Sequence, residues 1–256
     1  MPNSDTIKQL NEKIRQLQRP QSKPDSEFHE TFTGIEAFDA LLPAGGLSGG
    51  TLIEWLSPQG GGGSTLAMTF AARLLRSDLR EQSSQPNSTM VVIDTNNAFY
   101  PPAVVDLGIC LEQVVIIRPK HIGEAIWAFE QSLRCSGVTI TVAWIDHLTD
   151  QTFRRLQLAA EAGGGVGFLF RPTRTSKQRS WADARFLVEP VSAIGKVDGG
   201  NCPSSNLTRH LKVQLLHCRG RIEGGQVELE INDETGDVHL ASRLASPTTQ
   251  SRKARA

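Results

Sequence analysis

The sequence predicts an α/β fold with a mostly parallel central sheet flanked by helices, short antiparallel strands toward the C-terminus and a separate N-terminal helix. Between residues 51 and 170, five short apolar segments alternate with four amphipathic ones. Strands that are apolar on both faces and joined by helices are typical of a parallel sheet covered on both sides. After Phe170 the helical patterns cease, and shorter strand candidates follow one another.

Residues 4–18 predict a short amphipathic helix. Its narrow apolar stripe consists of Ile7, Leu10, Ile14 and Leu17. A helix this short is marginal by itself, so the stripe needs a partner surface on the same domain, on a second copy of the chain or on another protein. The pattern divides the chain into this helix (residues 1–19), a linker (20–27), a main domain (28–245) and a disordered basic tail (246–256).

The main domain supplies the strand and helix candidates in order. The first five strands are predicted at Thr51–Leu56, Met90–Asp94, Val114–Arg118, Thr139–Ile145 and Val166–Phe170. The helices between them are predicted at Ser64–Arg76, Pro102–Leu107, Ile122–Cys135 and Asp150–Ala162. The later strands are predicted at Ala184–Val188, Leu211–His217, Val227–Ile231 and Val238–Leu240. Glycines such as Gly108 and Gly163–Gly165 stand where helices are expected to end.

The charge distribution excludes some classes of protein and leaves others open. Hydrophobic residues make up 39 % of the chain and glycine adds 23 residues, which excludes disorder of the whole chain. The 27 basic and 27 acidic side chains cancel, which excludes a uniformly basic nucleic-acid binder. Residues 1–150 hold 11 basic and 17 acidic side chains, whereas residues 151–256 hold 16 and 10. The second half therefore carries a net positive charge, which permits it to bind phosphate.

The cysteines predict neither a disulfide framework nor a metal site. They stand far apart, without a C-x-x-C pair, at Cys110, Cys135, Cys202 and Cys218. Such spacing favours reduced thiols of an intracellular protein. No apolar run approaches the length of about 18 residues that spans a membrane, so we expect a cytoplasmic protein without a membrane segment.

A glycine-rich turn follows the first strand and precedes the first long helix, an arrangement that cradles phosphates. Residues 57–65 read SPQGGGGST. A working phosphate loop, G-x-x-x-x-G-K-[ST], needs a lysine that reaches the β- and γ-phosphates. With Gly62 as the second glycine of the motif and Ser64 as its hydroxyl residue, Gly63 takes the place of that lysine. A vestigial loop, weak nucleotide binding and hydrolysis all stay open at this point.

Several segments of the chain resemble known families. Residues 33–39 (TGIEAFD) and 45–54 (GGLSGGTLIE) resemble the entry to the ATPase core of RecA recombinases. Residues 99–103 (FYPPA), 127–134 (WAFEQSLR), 154–161 (RRLQLAAE), Arg171-Pro172 and 180–183 (SWAD) resemble the ImuA family, RecA-like accessory proteins of bacterial mutagenic translesion synthesis. The resemblance covers roughly residues 28–240 and implies a RecA-like core.

The resemblance also implies roles for single residues. Asp146 matches the Walker B aspartate, which helps to hold Mg²⁺ through water, although a strand-end aspartate that caps the next turn would look the same. Asn96 stands at the position of the catalytic glutamate, and Ala103 at that of the tyrosine that stacks on adenine. The residues left for a degenerate nucleotide site are Gly60, Gly61, Gly62, Gly63, Ser64, Thr65 and Asp146. We therefore expect no catalytic residues and no required cofactor, with weak binding of ATP and Mg²⁺ left open.

A basic segment follows the fifth strand and resembles a shortened second DNA loop of RecA-like proteins. Residues 171–180 contain no acid, and their cations are Arg171, Arg174, Lys177 and Arg179. The resemblance implies that these four contact single-stranded DNA, while an acidic partner or a merely solvated loop are the alternatives. Trp181 is expected to pack under the next strand rather than to stack on bases.

The expected function is that of a non-hydrolysing accessory protein in SOS-induced mutagenic translesion synthesis. The resemblance implies as partners an ImuB-like relative of the Y-family polymerases, an error-prone replicative-type DNA polymerase, RecA itself, single-stranded DNA and a second copy of the chain. One alternative is a divergent ATP-dependent recombinase or filament protein. Another is a cell-division inhibitor that resembles SulA.

Overall fold

The computed structural model describes residues 33–42, 45–78, 88–191, 208–219, 224–232, 235 and 237–241. The predicted N-terminal helix with its stripe, the linker and the basic tail lie outside the described residues, so these predictions remain expectations. The described strands are β1 (Leu52–Ser57), β2 (Met90–Ile93), β3 (Val114–Ile117), β4 (Ile140–Trp144), β5 (Val166–Pro172), β6 (Ala184–Pro190), β7 (Thr208–Cys218), β8 (Gln226–Asn232) and β9 (Val238–Leu240). The described helices are α1 (Glu36–Asp39), α2 (Gly63–Asp78), α3 (Pro102–Asp106), α4 (Ile122–Arg134) and α5 (Asp150–Gly163).

The nine described strands form one sheet in the order β3-β2-β4-β5-β1-β6-β7-β8-β9. Strands β1 to β6 pair in parallel, and β7, β8 and β9 continue the sheet in antiparallel pairs. The predicted mostly parallel sheet with antiparallel C-terminal strands is therefore confirmed. Strand β7 is longer than predicted because Thr208, Arg209 and His210 pair with β8 at one end and Cys218 pairs with Ala184 of β6 at the other.

Apolar side chains cover both faces of the sheet. On one face, the rings of Phe38, Trp55, Phe70 and Phe186 are fully buried, and the centroids of Phe38 and Phe70 lie 4.5 Å apart. On the other face, α4 and α5 pack Phe129 and Phe153 against the sheet. This double burial explains why the parallel strands read as continuous apolar runs.

Helix α5 shows how local sequence sets the ends of an element. The Thr149 side chain accepts a hydrogen bond from the Thr152 N–H, which caps the first turn. At the other end, Gly164 has a φ of 82° and its N–H donates to the Ala160 carbonyl. A left-handed residue of this kind ends many helices and favours glycine, so the predicted stop at Gly163–Gly165 is confirmed.

The parallel strands bring the candidate residues to one edge of the sheet. The glycine loop follows β1, Asn96 follows β2, Asp146 follows β4 and the basic segment follows β5. Because parallel strands run in the same direction, their carboxyl ends meet at a common edge, which is where open α/β sheets bind ligands.

Candidate functional site

The glycine loop is closed by its own neighbours. Gly61, Gly62 and Gly63 are buried, and the Gly61 N–H donates to the Pro58 carbonyl at 2.9 Å. Gly62 has a φ of +83°, and a Cβ placed on it would lie 2.8 Å from a methyl group of Leu211 in β7. A Cβ on Gly63 would lie 2.7 Å from the Ser57 Cβ. The loop therefore lacks both the motif lysine and the space for one.

An indole contacts Ser64, the hydroxyl residue of the degenerate motif. The Trp144 Nε1–H donates to Ser64 Oγ at 3.4 Å, and the Trp144 ring stacks on Phe170 with centroids 4.9 Å apart. The next hydroxyl, that of Thr65, accepts from the Arg209 guanidinium at 3.4 Å. Both hydroxyls at the start of α2 therefore already have protein donors.

Beside these hydroxyls lies a cavity of about 490 Å³. Its apolar wall is formed by Met68, Phe99, Ala103, Val104, Leu107 and Trp144. Asn96 and Ala103, which stand where the resemblance expects a catalytic glutamate and an adenine-stacking tyrosine, both line it. None of the described loop glycines does. This chain departs from the RecA pattern at Gly63, Asn96 and Ala103. Of these three, Asn96 and Ala103 line one cavity and Gly63 does not.

Asp146 lies outside that cavity. Its carboxylate accepts from Arg174 Nη2 at 2.6 Å, and both side chains are more than half exposed. Its main-chain carbonyl accepts from Arg171 Nε at 3.2 Å and from Arg171 Nη2 at 2.9 Å. Asp146 is thus tied to the basic segment through two arginines.

These residues do not fit a Mg²⁺–ATP complex. Such a complex needs a lysine on the β- and γ-phosphates, a hydroxyl on the metal and carboxylates for the metal shell and the attacking water. In this chain, Gly63 leaves no room for the lysine, Ser64 faces an indole, Asn96 carries no charge and Asp146 holds Arg174. An amide cannot accept a proton as a carboxylate does.

The prediction of Arg171 as a DNA contact is wrong for this conformation. Its side chain is 1 % exposed, and its guanidinium pairs with the fully buried Glu54 carboxylate at 2.9 Å. The same guanidinium donates to Gln178 Oε1 at 2.7 Å and to the Asp146 carbonyl. A buried arginine whose three guanidinium nitrogens all donate to protein acceptors cannot reach a phosphate, so Arg171 holds the segment together from inside.

Two further residues complete this cluster around Glu54. Arg185 Nε lies 2.9 Å from Glu54 Oε2, and the Ser180 hydroxyl donates to the same oxygen at 2.6 Å. Arg185 also donates to the main-chain carbonyls of Thr175, Ser176 and Gln178. Burial lowers the pKa of the Arg185 guanidinium, and the Glu54 carboxylate opposes that shift. We call Glu54, Arg171, Arg185 and Ser180 the Glu54 cluster.

The outer side of the basic segment remains open to solvent. Thr173–Lys177 forms a 3₁₀ helix, and Arg174, Lys177 and Arg179 are exposed. Arg174 pairs with Asp146, whereas Lys177 and Arg179 form no ion pair with any residue that the structure describes. Two of the four predicted DNA contacts are thus exposed and carry no ion pair within the described part of the chain.

The expected burial of Trp181 is wrong. The side chain is 42 % exposed, and the Arg154 guanidinium stands 5.1 Å from the centre of its ring. Arg154 comes from α5, which a sequence pattern alone could not place beside Trp181. A cation over an indole face is a favourable contact that leaves the rest of the ring to solvent.

Sequence reasoning missed Glu54, Arg185, Trp144 and Leu211. A signal existed for the first two, since each is a charged residue inside an otherwise apolar strand candidate. A buried charge requires an opposite partner. The contacts of Trp144 and Leu211 depend on which strands neighbour the glycine loop, and the residues themselves carry no such signal.

The described part of the chain shows neither a metal centre nor a membrane segment. It brings together no group of three or more His, Cys, Asp or Glu side chains that could hold a metal ion. Among the same residues, no helix has the length and apolar character that crossing a membrane requires.

Comparison with known proteins gives both broad and local similarities. The chain is 25 % identical to Protein ImuA of Caulobacter vibrioides over 226 residues, which cover 83 % of this chain and 88 % of that protein. It is 37 % identical to the cell division inhibitor SulA of Edwardsiella piscicida over 65 residues, or 25 % of this chain. The matches to SulA proteins span only 39 to 63 % of the length of those relatives.

The RecA-like character appears in sequence and in structure. The chain is 24 % identical to Protein RecA of Lactobacillus delbrueckii subsp. bulgaricus over 151 residues, covering 59 % of this chain and 41 % of that protein. The crystal structure of the RadB recombinase superposes with a TM-score of 0.56 at 15 % identity and covers 82 % of this chain and 99 % of that one. No protein-family profile matches. The strand order and these similarities confirm the resemblance read from the motifs: the chain has a RecA-like fold and is similar to ImuA over most of its length.

Proposed function

We propose that this chain is an accessory protein of SOS-induced mutagenic translesion DNA synthesis that works without hydrolysing ATP. The closed glycine loop carries the proposal, because Gly63 lies against Ser57 and leaves no room for the motif lysine. The similarity to ImuA over 83 % of the chain points to the pathway. A RecA-like body without nucleotide chemistry is suited to holding other components together.

The proposed partners are proteins and single-stranded DNA. The protein partners are an ImuB-like relative of the Y-family polymerases, an error-prone replicative-type DNA polymerase and RecA, together with a second copy of this chain. The apolar stripe of the predicted N-terminal helix is the proposed contact for one of them. Lys177 and Arg179 are the proposed phosphate contacts, since both are exposed and no described acid neutralises them.

We expect no measurable ATP chemistry. A calorimetric titration with Mg²⁺–ATP should give no heat of binding, and phosphate release should equal that of buffer with and without single-stranded DNA. The reason is that Gly63 and Asn96, at the two motif positions, supply neither the lysine charge nor the catalytic carboxylate. A RecA protein serves as the positive control, and Asp146→Ala should leave the heat of ATP binding and the phosphate release unchanged. DNA-stimulated release that Asp146→Ala abolishes would instead support a divergent recombinase.

We expect single-stranded DNA to bind through the basic segment. Each phosphate contact on a single strand contributes about 0.7 to the slope of log affinity against log salt concentration. The double variant Lys177→Ala/Arg179→Ala should therefore bind more weakly, with a slope smaller by about 1.4. The measurement is a fluorescence anisotropy titration of a labelled oligonucleotide at several salt concentrations.

The matched control for that titration removes two cations from another region. Arg76→Ala/Arg134→Ala lowers the net charge equally, in the last turns of α2 and α4. It should leave the slope unchanged. Equal effects of the two double variants would mean that overall charge, and not the basic segment, attracts the DNA.

A second candidate function is inhibition of cell division. It is favoured by the 37 % identity to SulA over 65 residues. It predicts binding to the division GTPase and no affinity for DNA. Co-sedimentation with that GTPase, tested beside the DNA titration, separates the two functions.

A further inference from the structure

Asp146 faces the basic segment and not the cavity beside Ser64. Its carboxylate lies 2.6 Å from Arg174 Nη2, and the exposed fractions of the two side chains are 51 % and 64 %. Arg174 pairs with a carboxylate, whereas Lys177 and Arg179 have no carboxylate partner among the described residues. The residue that the resemblance places at the Walker B position thus pairs with an arginine of the basic segment.

The segment that carries Arg174 is held from inside. The Glu54 cluster binds this segment at several points. Arg185 donates to the carbonyls of Thr175, Ser176 and Gln178. The Ser180 hydroxyl donates to Glu54. Arg171 connects the cluster to the Asp146 carbonyl. The basic segment and the loop after β4 are thus joined by partly buried hydrogen bonds, which hold Arg174 beside Asp146.

We propose that Asp146 competes with nucleic-acid phosphate for Arg174, so that single-stranded DNA binds this surface through three cations only when that ion pair opens. The proposal rests on the proposed DNA contact of Lys177 and Arg179 and adds a third cation together with its internal competitor. A carboxylate and a phosphate oxygen are alternative partners for the same guanidinium fork. Because the pair is exposed, it opens at low cost.

We expect the Asp146→Asn variant to bind single-stranded DNA more tightly than the wild type does. Removing the carboxylate charge frees Arg174 and removes repulsion of an incoming phosphate, so affinity for a single-stranded oligonucleotide should rise about two- to fivefold. The slope of log affinity against log salt should become steeper by about 0.7, the value of one added phosphate contact. A carboxylate that only helped to hold Mg²⁺ would leave nucleotide-free DNA binding unchanged. The measurement is the same anisotropy titration, without ATP or Mg²⁺.

Two further variants identify the cause of the gain. Asp150→Asn removes an acidic charge four residues away, in the first turn of α5, and should not reproduce it. Asp146→Asn/Arg174→Ala should lose it, because the freed cation is absent. A melting temperature close to that of the wild type shows that Asp146→Asn leaves the fold intact.

The possible results distinguish competition by Asp146 from the proposed DNA contact of Lys177 and Arg179. Unchanged affinity in Asp146→Asn, with weaker binding by Lys177→Ala/Arg179→Ala, overturns the competition and keeps the DNA contact. No binding by the wild type or by Asp146→Asn at low salt overturns both. An equal gain in Asp150→Asn also overturns the competition, since it would reflect net charge alone.

Discussion

Glu54→Gln should lower the free energy of unfolding by about 3–5 kcal/mol, the cost of leaving a buried charge without its partner. Glu54 is fully buried and faces two arginines whose side chains are 1 % and 6 % exposed. The neutral amide would leave two guanidinium charges inside the protein with no carboxylate between them. Urea denaturation followed by circular dichroism measures the effect as a shift of the transition midpoint.

An apolar replacement of the whole cluster serves as the control. Glu54→Leu/Arg171→Met/Arg185→Met removes all three charges at once, so any loss of stability in this variant comes from lost hydrogen bonds and not from an unpaired charge. The same variant loses the donors to the carbonyls of Thr175, Ser176 and Gln178. It should therefore bind single-stranded DNA more weakly than wild type even where it is folded. A Glu54→Gln variant within about 1 kcal/mol of wild type would contradict the role of the cluster, since a mean point mutation costs that much.

Most of the sheet could be predicted from the sequence because its strands are locally encoded. Segments such as Val91–Ile93 and Val142–Ile145 are apolar on successive residues, which is what a strand covered on both faces requires. The helix between β4 and β5 ends at a glycine run for an equally local reason. These features need no knowledge of which elements are neighbours.

The site was harder to predict because its contacts join distant parts of the chain. Arg171 stands in a run of cations and was expected in solvent, yet its partner Glu54 lies 117 residues earlier on the neighbouring strand. Trp181 was expected to be buried, but Arg154 of α5 approaches it at the surface. Only the strand order and the packing of α5 decide which cation is buried and which ring is exposed.

The contacts of the glycine loop also could not be predicted from its short motif. The missing lysine could be read directly from Gly63, and the missing charge predicts weak phosphate contacts. The closeness of Gly63 to Ser57 and of Gly62 to Leu211 depends on the path of the turn and on β7. The sequence alone therefore leaves open whether a lysine could be restored, and the structure predicts that it could not.

Gly63→Lys should fail to create ATP binding and should destabilise the protein by about 1–3 kcal/mol, the usual cost of overpacking a tight site. A Cβ at this position would lie 2.7 Å from the Ser57 Cβ and 3.5 Å from the Val188 Cβ. Neither atom is the free end of a flexible side chain, so the main chain of the loop must move. Calorimetry with Mg²⁺–ATP and the urea midpoint measure the two effects.

Gln59→Lys is the matched control, because it adds the same charge to the same loop at an exposed position. It should keep wild-type stability, so that the difference between the two variants isolates the steric cost at Gly63. Should Gly63→Lys fold with wild-type stability and bind ATP, the loop would be open and only its charge would be missing. In that case the lost lysine would explain the absence of ATP chemistry by itself. If Gly63→Lys is destabilised and does not bind ATP, Ser57 and β7 close the loop. Opening it again would then need substitutions on at least two strands.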